Sequence, residues 1–271
     1  MHQKIKSLSI EIIIKCLLEY ISMFQLQTKD VNSWNMVIKA ASALLEEVAL
    51  EFHPDMITMR NMDPSHIAML NLEWLKQSFD VYECDGEHIV TLRIDDLANI
   101  MKRASKGELI EMSLGEGNTL LIKVSNGFQR EFVLHILESS HTAIPVPKVN
   151  FTAKIVMTLK GFKEAISDIE TVSDEVNMKA DTGTFVLSGS SEYGNVKVSI
   201  TTATPDVKEI TVSETSSASY SIEYIEKFIK ALSSSLDYIT IEFGNRLPIR
   251  IQAPLDDKGS KLEYYLAPRV E

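Results

Sequence analysis

The 271-residue chain has 45% hydrophobic and 24% charged residues, a composition that excludes intrinsic disorder and predicts a folded globular protein. Its most apolar stretch, residues 10–21, is interrupted by Glu11, Lys15 and Glu19 and is too short to cross a bilayer, and it lacks the small-residue cleavage site expected of a secretory signal. The formal net charge of −11 excludes a wholly basic surface but allows a local one, because net charge is only a sum.

The sequence contains little that indicates a catalytic or metal-binding site. The two cysteines, Cys16 and Cys84, lie far apart, which argues against a disulfide framework or a structural zinc and suits a reducing compartment. The six histidines show no ligand spacing, and HExxH, GxSxG and Walker-type glycine motifs do not occur. We therefore predict a protein that is not an enzyme and that has no cofactor.

From about Met56 onward, short runs alternate apolar and polar residues, which predicts strands buried on one face. Clear examples are residues 56–59, 88–94, 109–114, 119–124, 196–200, 238–243 and 262–266, with turn residues between many of the runs. Apolar residues at helical spacing predict amphipathic helices over residues 31–48, 95–104, 159–169 and 222–232. The chain is thus expected to be of the α+β class, with meandering antiparallel sheets.

The order of these elements repeats along the chain. A strand beginning at Phe24 opens a series of strands and two helices, and Phe151 opens the same series again. This predicts two similar β-rich domains with two helices each, at residues 23–135 and 149–271. Residues 136–148 contain Pro145 and Pro147 without periodicity and are predicted to be an extended connector. Residues 1–22 remain as an N-terminal extension.

The polar faces of the predicted helices are rich in basic residues. One interpretation is a surface for the phosphates of nucleic acid, and the other is an ordinary solvated face with intrahelical pairs such as Glu223–Lys227 and Glu226–Lys230. The pattern alone favours the second interpretation. The residues concerned are Lys39, Lys102, Arg103, Lys160, Lys163, Lys227 and Lys230.

Three segments, taken together, resemble the proliferating cell nuclear antigen family of DNA sliding clamps. They are MRNMDPSHI at 59–67, VSDEV at 172–176 and LEYYLAPRVE at 262–271. The similarity runs from Met23 to the last residue, and the ending resembles the archaeal members. Residues 1–22 have no counterpart in the family. Either Met23 is the true initiator, the interpretation we favour, or the extension forms an added helix.

The resemblance implies a non-enzymatic processivity factor, a trimeric ring whose helices face double-stranded DNA without reading its sequence. The basic residues above would then face DNA, despite the net negative charge. The implied partners are DNA polymerase, a clamp loader, flap endonuclease and DNA ligase, bound through short peptides with apolar and aromatic anchors. The implied location is the cytoplasm of an archaeal cell, at the nucleoid.

The resemblance also implies two further surfaces. A partner-peptide groove would be formed by Met62, His66, Ile67, Ile144, Pro145, Pro248, Tyr265, Ala267 and Pro268. Subunits would join edge to edge through residues 129–135 and 194–201, with Gln129, Glu131, Val133, Asn195, Lys197 and Ser199 at the interface. Two alternatives remain: one subunit of a heterotrimeric clamp, and an enzyme or ligand-binding protein on a duplicated β-rich scaffold.

Overall fold

The computed structural model of the chain describes residues 24–138, 144–232 and 236–269. The predictions for residues 1–22 and for the middle of the connector lie outside the described residues. Among the described helices, none is long and apolar enough to cross a membrane.

Each half of the described chain has the same order: strand, helix, five strands, helix, three strands. The first half consists of β1 (Phe24–Thr28), α1 (Val31–Ser42), β2 (Glu47–Phe52), β3 (Met56–Met62), β4 (Ala68–Leu75), β5 (Val81–Cys84), β6 (His88–Arg93), α2 (Ile94–Met101), β7 (Leu109–Gly115), β8 (Thr119–Asn126) and β9 (Phe128–His135). The second half consists of β10 (Ala153–Thr158), α3 (Leu159–Glu170), β11 (Glu175–Asp181), β12 (Thr184–Ser191), β13 (Gly194–Thr201), β14 (Val207–Val212), β15 (Ser216–Ser221), α4 (Ile222–Ala231), β16 (Tyr238–Phe243), β17 (Ile249–Pro254) and β18 (Lys261–Leu266).

The strand pairing repeats as well. The first half pairs its strands in the orders β5-β1-β7-β8-β9 and β4-β3-β2-β6, and the second half uses the corresponding orders β14-β10-β16-β17-β18 and β13-β12-β11-β15. Antiparallel pairing of β18 with β4 joins the halves, so that one nine-stranded sheet runs through both. The predicted α+β class, with two similar β-rich units carrying two helices each, is confirmed.

Helix α1 is shorter than its periodicity predicts. The prediction that it extends to Val48 is wrong, because the helix ends at Ser42 and Val48 lies in β2. Apolar residues at helical spacing continue past Ser42, but the run from Val48 to Leu50 pairs with β6 in the sheet. At its other end, the Asp30 carboxylate accepts a hydrogen bond from the Ser33 N–H at 3.0 Å and caps the helix.

The four helices pack side by side and cover the sheets with their apolar faces. Helix α1 contacts α2 and α4, and α4 also contacts α3. Their largest buried side chains include Trp34, which lies 4.8 Å from the ring of Trp74, and Phe228, which stacks on Tyr264 at 4.6 Å. The polar faces of all four helices therefore form one continuous surface.

Candidate functional site

The seven basic residues singled out in the sequence all lie on this helical surface. Lys39 belongs to α1, Lys102 and Arg103 directly follow the last residue of α2, and the others lie on α3 and α4. Lys163 and Lys227 are half-buried and the other five are exposed. Lys39 and Lys102 line one cleft between α1 and α2, together with Asp95. The fold therefore brings these cations together from four separate segments.

Intrahelical ion pairs neutralise part of this surface. Lys227 lies 2.7 Å from Glu223, Lys230 lies 2.6 Å from Glu226, and Lys160 lies 3.8 Å from a glutamate one turn further on. The hydrogen bonds to Glu223 and Glu226 hold the pKa values of Lys227 and Lys230 above their ordinary range.

The remaining cations have no such partners among the described residues. Within the described ranges, no carboxylate lies within 4.0 Å of Lys39, Lys102, Arg103 or Lys163. Burial lowers the pKa of Lys163 from its ordinary value. The unpaired positive charge is therefore concentrated on α1, the end of α2 and the N-terminal half of α3.

A second surface lies where the β3–β4 turn meets the C-terminal segment. The Ala267 N–H donates to the Ile67 carbonyl at 2.9 Å, which extends the pairing of β18 with β4 by one step. Ile67 is 39% exposed, unusual for so large an apolar side chain, and His66 and Ala267 beside it are exposed. Among the other predicted groove residues, Pro145 is exposed, whereas Met62, Ile144, Pro248 and Pro268 are half-buried.

Tyr265 differs from the other predicted groove residues because it is only 4% exposed. Its hydroxyl donates to a Glu263 carboxylate oxygen at 3.2 Å. Burial raises the pKa of the Tyr265 phenol. The Tyr265 side chain therefore packs within the sheet and contributes little to the exposed surface.

Asp63 organises the turn that carries His66 and Ile67. Its carboxylate accepts hydrogen bonds from the backbone N–H groups of Ser65, Ile67 and Ala68 at 3.0, 2.7 and 2.6 Å. His66 adopts a φ of 58°, a left-handed conformation that few non-glycine residues take. A single side chain, that of Asp63, therefore holds this turn.

Tyr224 on α4 also contacts this turn, through its hydroxyl and the Asp63 carboxylate. No sequence pattern marks Tyr224, because the two residues are separated by 161 positions. In the sequence, Tyr224 looks like any other residue at the boundary between the polar and apolar faces of an amphipathic helix.

The third predicted surface consists of the two edge strands β9 and β13. Each is the last strand of its sheet, and in the described part of the chain nothing pairs with its outer side. Five of the six predicted interface residues (Gln129, Glu131, Asn195, Lys197 and Ser199) are exposed, and the sixth, Val133, is 56% exposed. Phe128 and Tyr193 beside them are 82% and 95% exposed.

A helical face with unpaired cations, an apolar surface beside the C terminus and two unpaired strand edges define a binding and assembly protein. Comparisons with known proteins agree with this class. The family model for the N-terminal domain of proliferating cell nuclear antigen matches residues 23–136, and that for the C-terminal domain matches residues 145–269. The chain belongs to the proliferating cell nuclear antigen family, the non-catalytic DNA sliding clamps.

Individual relatives cover nearly the whole chain. The DNA polymerase sliding clamp of Nitrosopumilus maritimus is 33% identical over 92% of this chain and 99% of its own length. That of Pyrococcus abyssi is 31% identical with the same coverage. Both confirm the resemblance, including its archaeal character.

Solved structures agree in fold. Proliferating cell nuclear antigen from Thermococcus kodakaraensis superposes with a TM-score of 0.86 at 19% identity, over 91% of this chain and 100% of that one. That of A. fulgidus, solved with the C-terminal region of FEN-1 bound, has a TM-score of 0.82 at 27% identity, over 92% and 99%.

Proposed function

We propose that three copies of this chain close into a ring around duplex DNA and tether replication and repair enzymes to it. The observation that carries this proposal is the relation between the internal junction and the two free edges. Strands β18 and β4 pair inside the chain, and their counterparts in the other repeats are β9 and β13. Pairing β9 of one copy with β13 of the next repeats the internal junction between chains.

Matching hydrogen bonds support the correspondence of β9 with β18. Just after β9, the Leu137 N–H donates to the Thr91 carbonyl at 2.9 Å, and just after β18, the Arg269 N–H donates to the Ser219 carbonyl at 2.8 Å. Since these bonds are equivalent, each residue of β9 corresponds to the residue 132 positions later (137 to 269), and Glu131 corresponds to Glu263.

Cross-strand pairs likewise support the correspondence of β4 with β13. Helices α1 and α3 begin 128 positions apart, at Val31 and Leu159, which makes Ser188 the counterpart of Arg60. Arg60 lies opposite Asn71 in the first hairpin, and Ser188 lies opposite Lys197 in the second. Asn71 therefore corresponds to Lys197.

Transferring the register of the internal junction predicts the contacts between chains. Glu263 lies opposite Asn71 inside the chain, so Glu131 of one copy is expected opposite Lys197 of the next. The same register sets Gln129 opposite Ser199 and Val133 opposite Asn195. An acidic residue of one copy thus meets a basic residue of a second, identical copy, which favours a homotrimer over one subunit of a heterotrimer.

The helical surface would face the DNA in such a ring. Lys and Arg side chains that reach phosphates carry no base information, so the contacts are sequence-independent and salt-sensitive. Weak contacts suit a ring that holds DNA by enclosing it, because tight ones would stop it from sliding. The unpaired residues Lys39, Lys102, Arg103 and Lys163 supply most of this attraction, and Lys160, Lys227 and Lys230 supply less.

The surface around Ile67 and the C-terminal segment would bind partner enzymes. Its exposed apolar residues suit short peptides with apolar and aromatic anchors, which provide most of the binding energy at such sites. The expected partners are DNA polymerase, an ATP-driven clamp loader, flap endonuclease and DNA ligase. The expected location is the cytoplasm of an archaeal cell, at the nucleoid.

The solution mass tests the ring directly. Light scattering after size exclusion should give about 91 kDa, three times the chain mass of 30.4 kDa. A monomer at every concentration would contradict the homotrimer and favour the heterotrimer. Retention on circular DNA, with release after the DNA is linearised, would then test whether the ring encloses the duplex.

A further inference from the structure

A group of metal-ligating side chains lies at one end of the nine-stranded sheet, outside the three surfaces described above. It consists of Glu51 in β2, His53 just after β2, and Glu87 just before β6. One ligand atom from each residue lies within 4.8 Å of the other two. The histidine spacing in the sequence does not reveal this group, because only one of the three residues is a histidine.

Strand geometry explains why the three side chains meet. Glu51 and His53 are two positions apart, so they point to the same face of the sheet. Phe52 lies opposite His88 in the antiparallel pair of β2 and β6, and continuing that register puts His53 opposite Glu87. Directly opposite residues on one face are close neighbours, within reach of a shared ligand.

The distance between two of the ligand atoms suits a small divalent ion. Nε2 of His53 lies 3.4 Å from Oε2 of Glu51. Two ligands of a tetrahedral zinc ion, each about 2.1 Å from the metal, are about 3.4 Å apart. The spacing of these two atoms is compatible with a coordinated pair, although Nε2 of His53 also lies 3.2 Å from the Thr58 hydroxyl, a contact that a bound ion would replace. The exposed Glu87 would add a third ligand from the solvent side.

The surroundings hold these ligands in place. Glu51 is buried at 8% exposure, and the Thr58 hydroxyl donates to its Oε2 at 3.1 Å. Two hydrogen bonds fix the backbone of His53. Its N–H donates to the Met56 carbonyl at 2.9 Å, and its carbonyl accepts from the Tyr82 hydroxyl at 2.7 Å. Buried carboxylates are normally paired or coordinate a metal, and a ligand whose backbone is fixed loses less entropy on binding.

We propose that Glu51, His53 and Glu87 bind one divalent transition-metal ion per chain, of the zinc type. One imidazole and two carboxylates form a mixed nitrogen and oxygen set that zinc accepts, whereas magnesium prefers oxygen ligands alone. The exposed position of Glu87 leaves room for water as a further ligand. The ion links β2 to β6, the last strand of the nine-stranded sheet.

Calorimetric titration of the chelator-treated full chain with zinc tests this proposal. We expect one zinc per chain, and His53→Asn and Glu87→Gln should each weaken the affinity at least tenfold, since even outer-shell changes commonly cost that much. Zinc should also raise the melting temperature of the wild-type protein and not that of His53→Asn. His66→Asn is the matched control, because His66 is exposed and asparagine tolerates its left-handed backbone.

Two further arms make the test decisive. Cys84→Ser should keep full zinc affinity, which would show that zinc does not bind to the Cys84 thiol. Magnesium at the same concentration should bind far more weakly than zinc. No zinc binding by the wild-type chain, or unchanged affinity in both His53→Asn and Glu87→Gln, would overturn the proposal. None of these readouts depends on ring formation or on DNA.

Discussion

The hydroxyl of Tyr224 on α4 lies 3.3 Å from Oδ2 of Asp63 and donates a hydrogen bond to it. The Nζ of Lys227 lies 5.0 Å from the centre of the same tyrosine ring. Tyr224 therefore touches a cation of the helical surface on one side and the turn that carries Ile67 on the other. A single side chain connects the surface proposed to face DNA with the surface proposed to bind partners.

Tyr224→Phe should weaken partner binding although Tyr224 is not part of the groove. The ring and its contact with Lys227 remain, but Asp63 loses one hydrogen bond, worth about 0.5–1.5 kcal/mol. We expect a few-fold loss of affinity for a partner-derived peptide by fluorescence anisotropy. Tyr238→Phe is the matched control, because Tyr238 is also a half-exposed ring beside a lysine, at 5.5 Å. Equal affinity of the two variants would show that the Asp63 turn does not need Tyr224.

Asp63→Asn should lower the free energy of unfolding at neutral pH by about 1–3 kcal/mol, because an amide cannot satisfy all the donors around the carboxylate. Burial alone raises the pKa of Asp63, but the N–H groups of Ala68, Ile67 and Ser65 and the Tyr224 hydroxyl outweigh it. The pKa therefore lies below its ordinary value.

The sign of this shift fixes the pH dependence. Because the pKa of Asp63 is lower in the folded state, its carboxylate stabilises the protein at pH values above the ordinary aspartate pKa of about 3.9. This stabilisation is lost as the pH falls through the pKa of Asp63 in the folded protein. The difference in unfolding free energy between the wild-type protein and Asp63→Asn should thus be constant near neutral pH and shrink below about pH 4. Urea titrations at several pH values measure it, and a difference that grows on acidification would contradict the assignment.

Local patterns were sufficient to predict many of the strands, the four helices and the repeat, because alternation and helical spacing depend on neighbouring residues. They failed at the end of α1, where Val48 fits the helical spacing but pairs in a sheet with Leu92. The pairing of β18 with β4 and the bond between Tyr224 and Asp63 join distant parts of the chain. No pattern within one sequence encodes such contacts. The local pairs Glu223–Lys227 and Glu226–Lys230, in contrast, follow from helical spacing, and both are present.

Removing unpaired cations should impair DNA retention more than removing paired ones. Lys102→Gln combined with Arg103→Gln should lower polymerase processivity and reduce the salt dependence of DNA binding by about two charges. Lys227→Gln with Lys230→Gln should have a smaller effect, because each lysine already shares its charge with a glutamate. Lys76→Gln, an exposed lysine away from the four helices, is the control. Equal effects of the two double variants would contradict the role of the ion pairs.

Ile67→Ala should reduce the affinity for a partner peptide about tenfold and leave the solution mass of the ring unchanged, since truncating an apolar anchor commonly costs more than 1 kcal/mol. Ile67 is a sharper test than Tyr265, because Tyr265 is buried and bonded to Glu263, so its loss also disturbs the sheet. Ile89→Ala, which truncates another exposed isoleucine, at 45% exposure, is the control. Affinity that survives in Ile67→Ala would place the peptide elsewhere.

Charge reversal across the predicted subunit interface tests both its register and the number of subunits. Glu131→Lys or Lys197→Glu alone should shift the mass toward monomer, because like charges then lie opposite each other. The double variant should recover the trimer. A mixture of the two single variants should not, because a ring with three interfaces cannot alternate two kinds of chain, and one like-charge contact always remains. If the mixture assembled as completely as the wild-type protein, the ring would have an even number of subunits. If the double variant failed to assemble, Glu131 and Lys197 would not lie opposite each other.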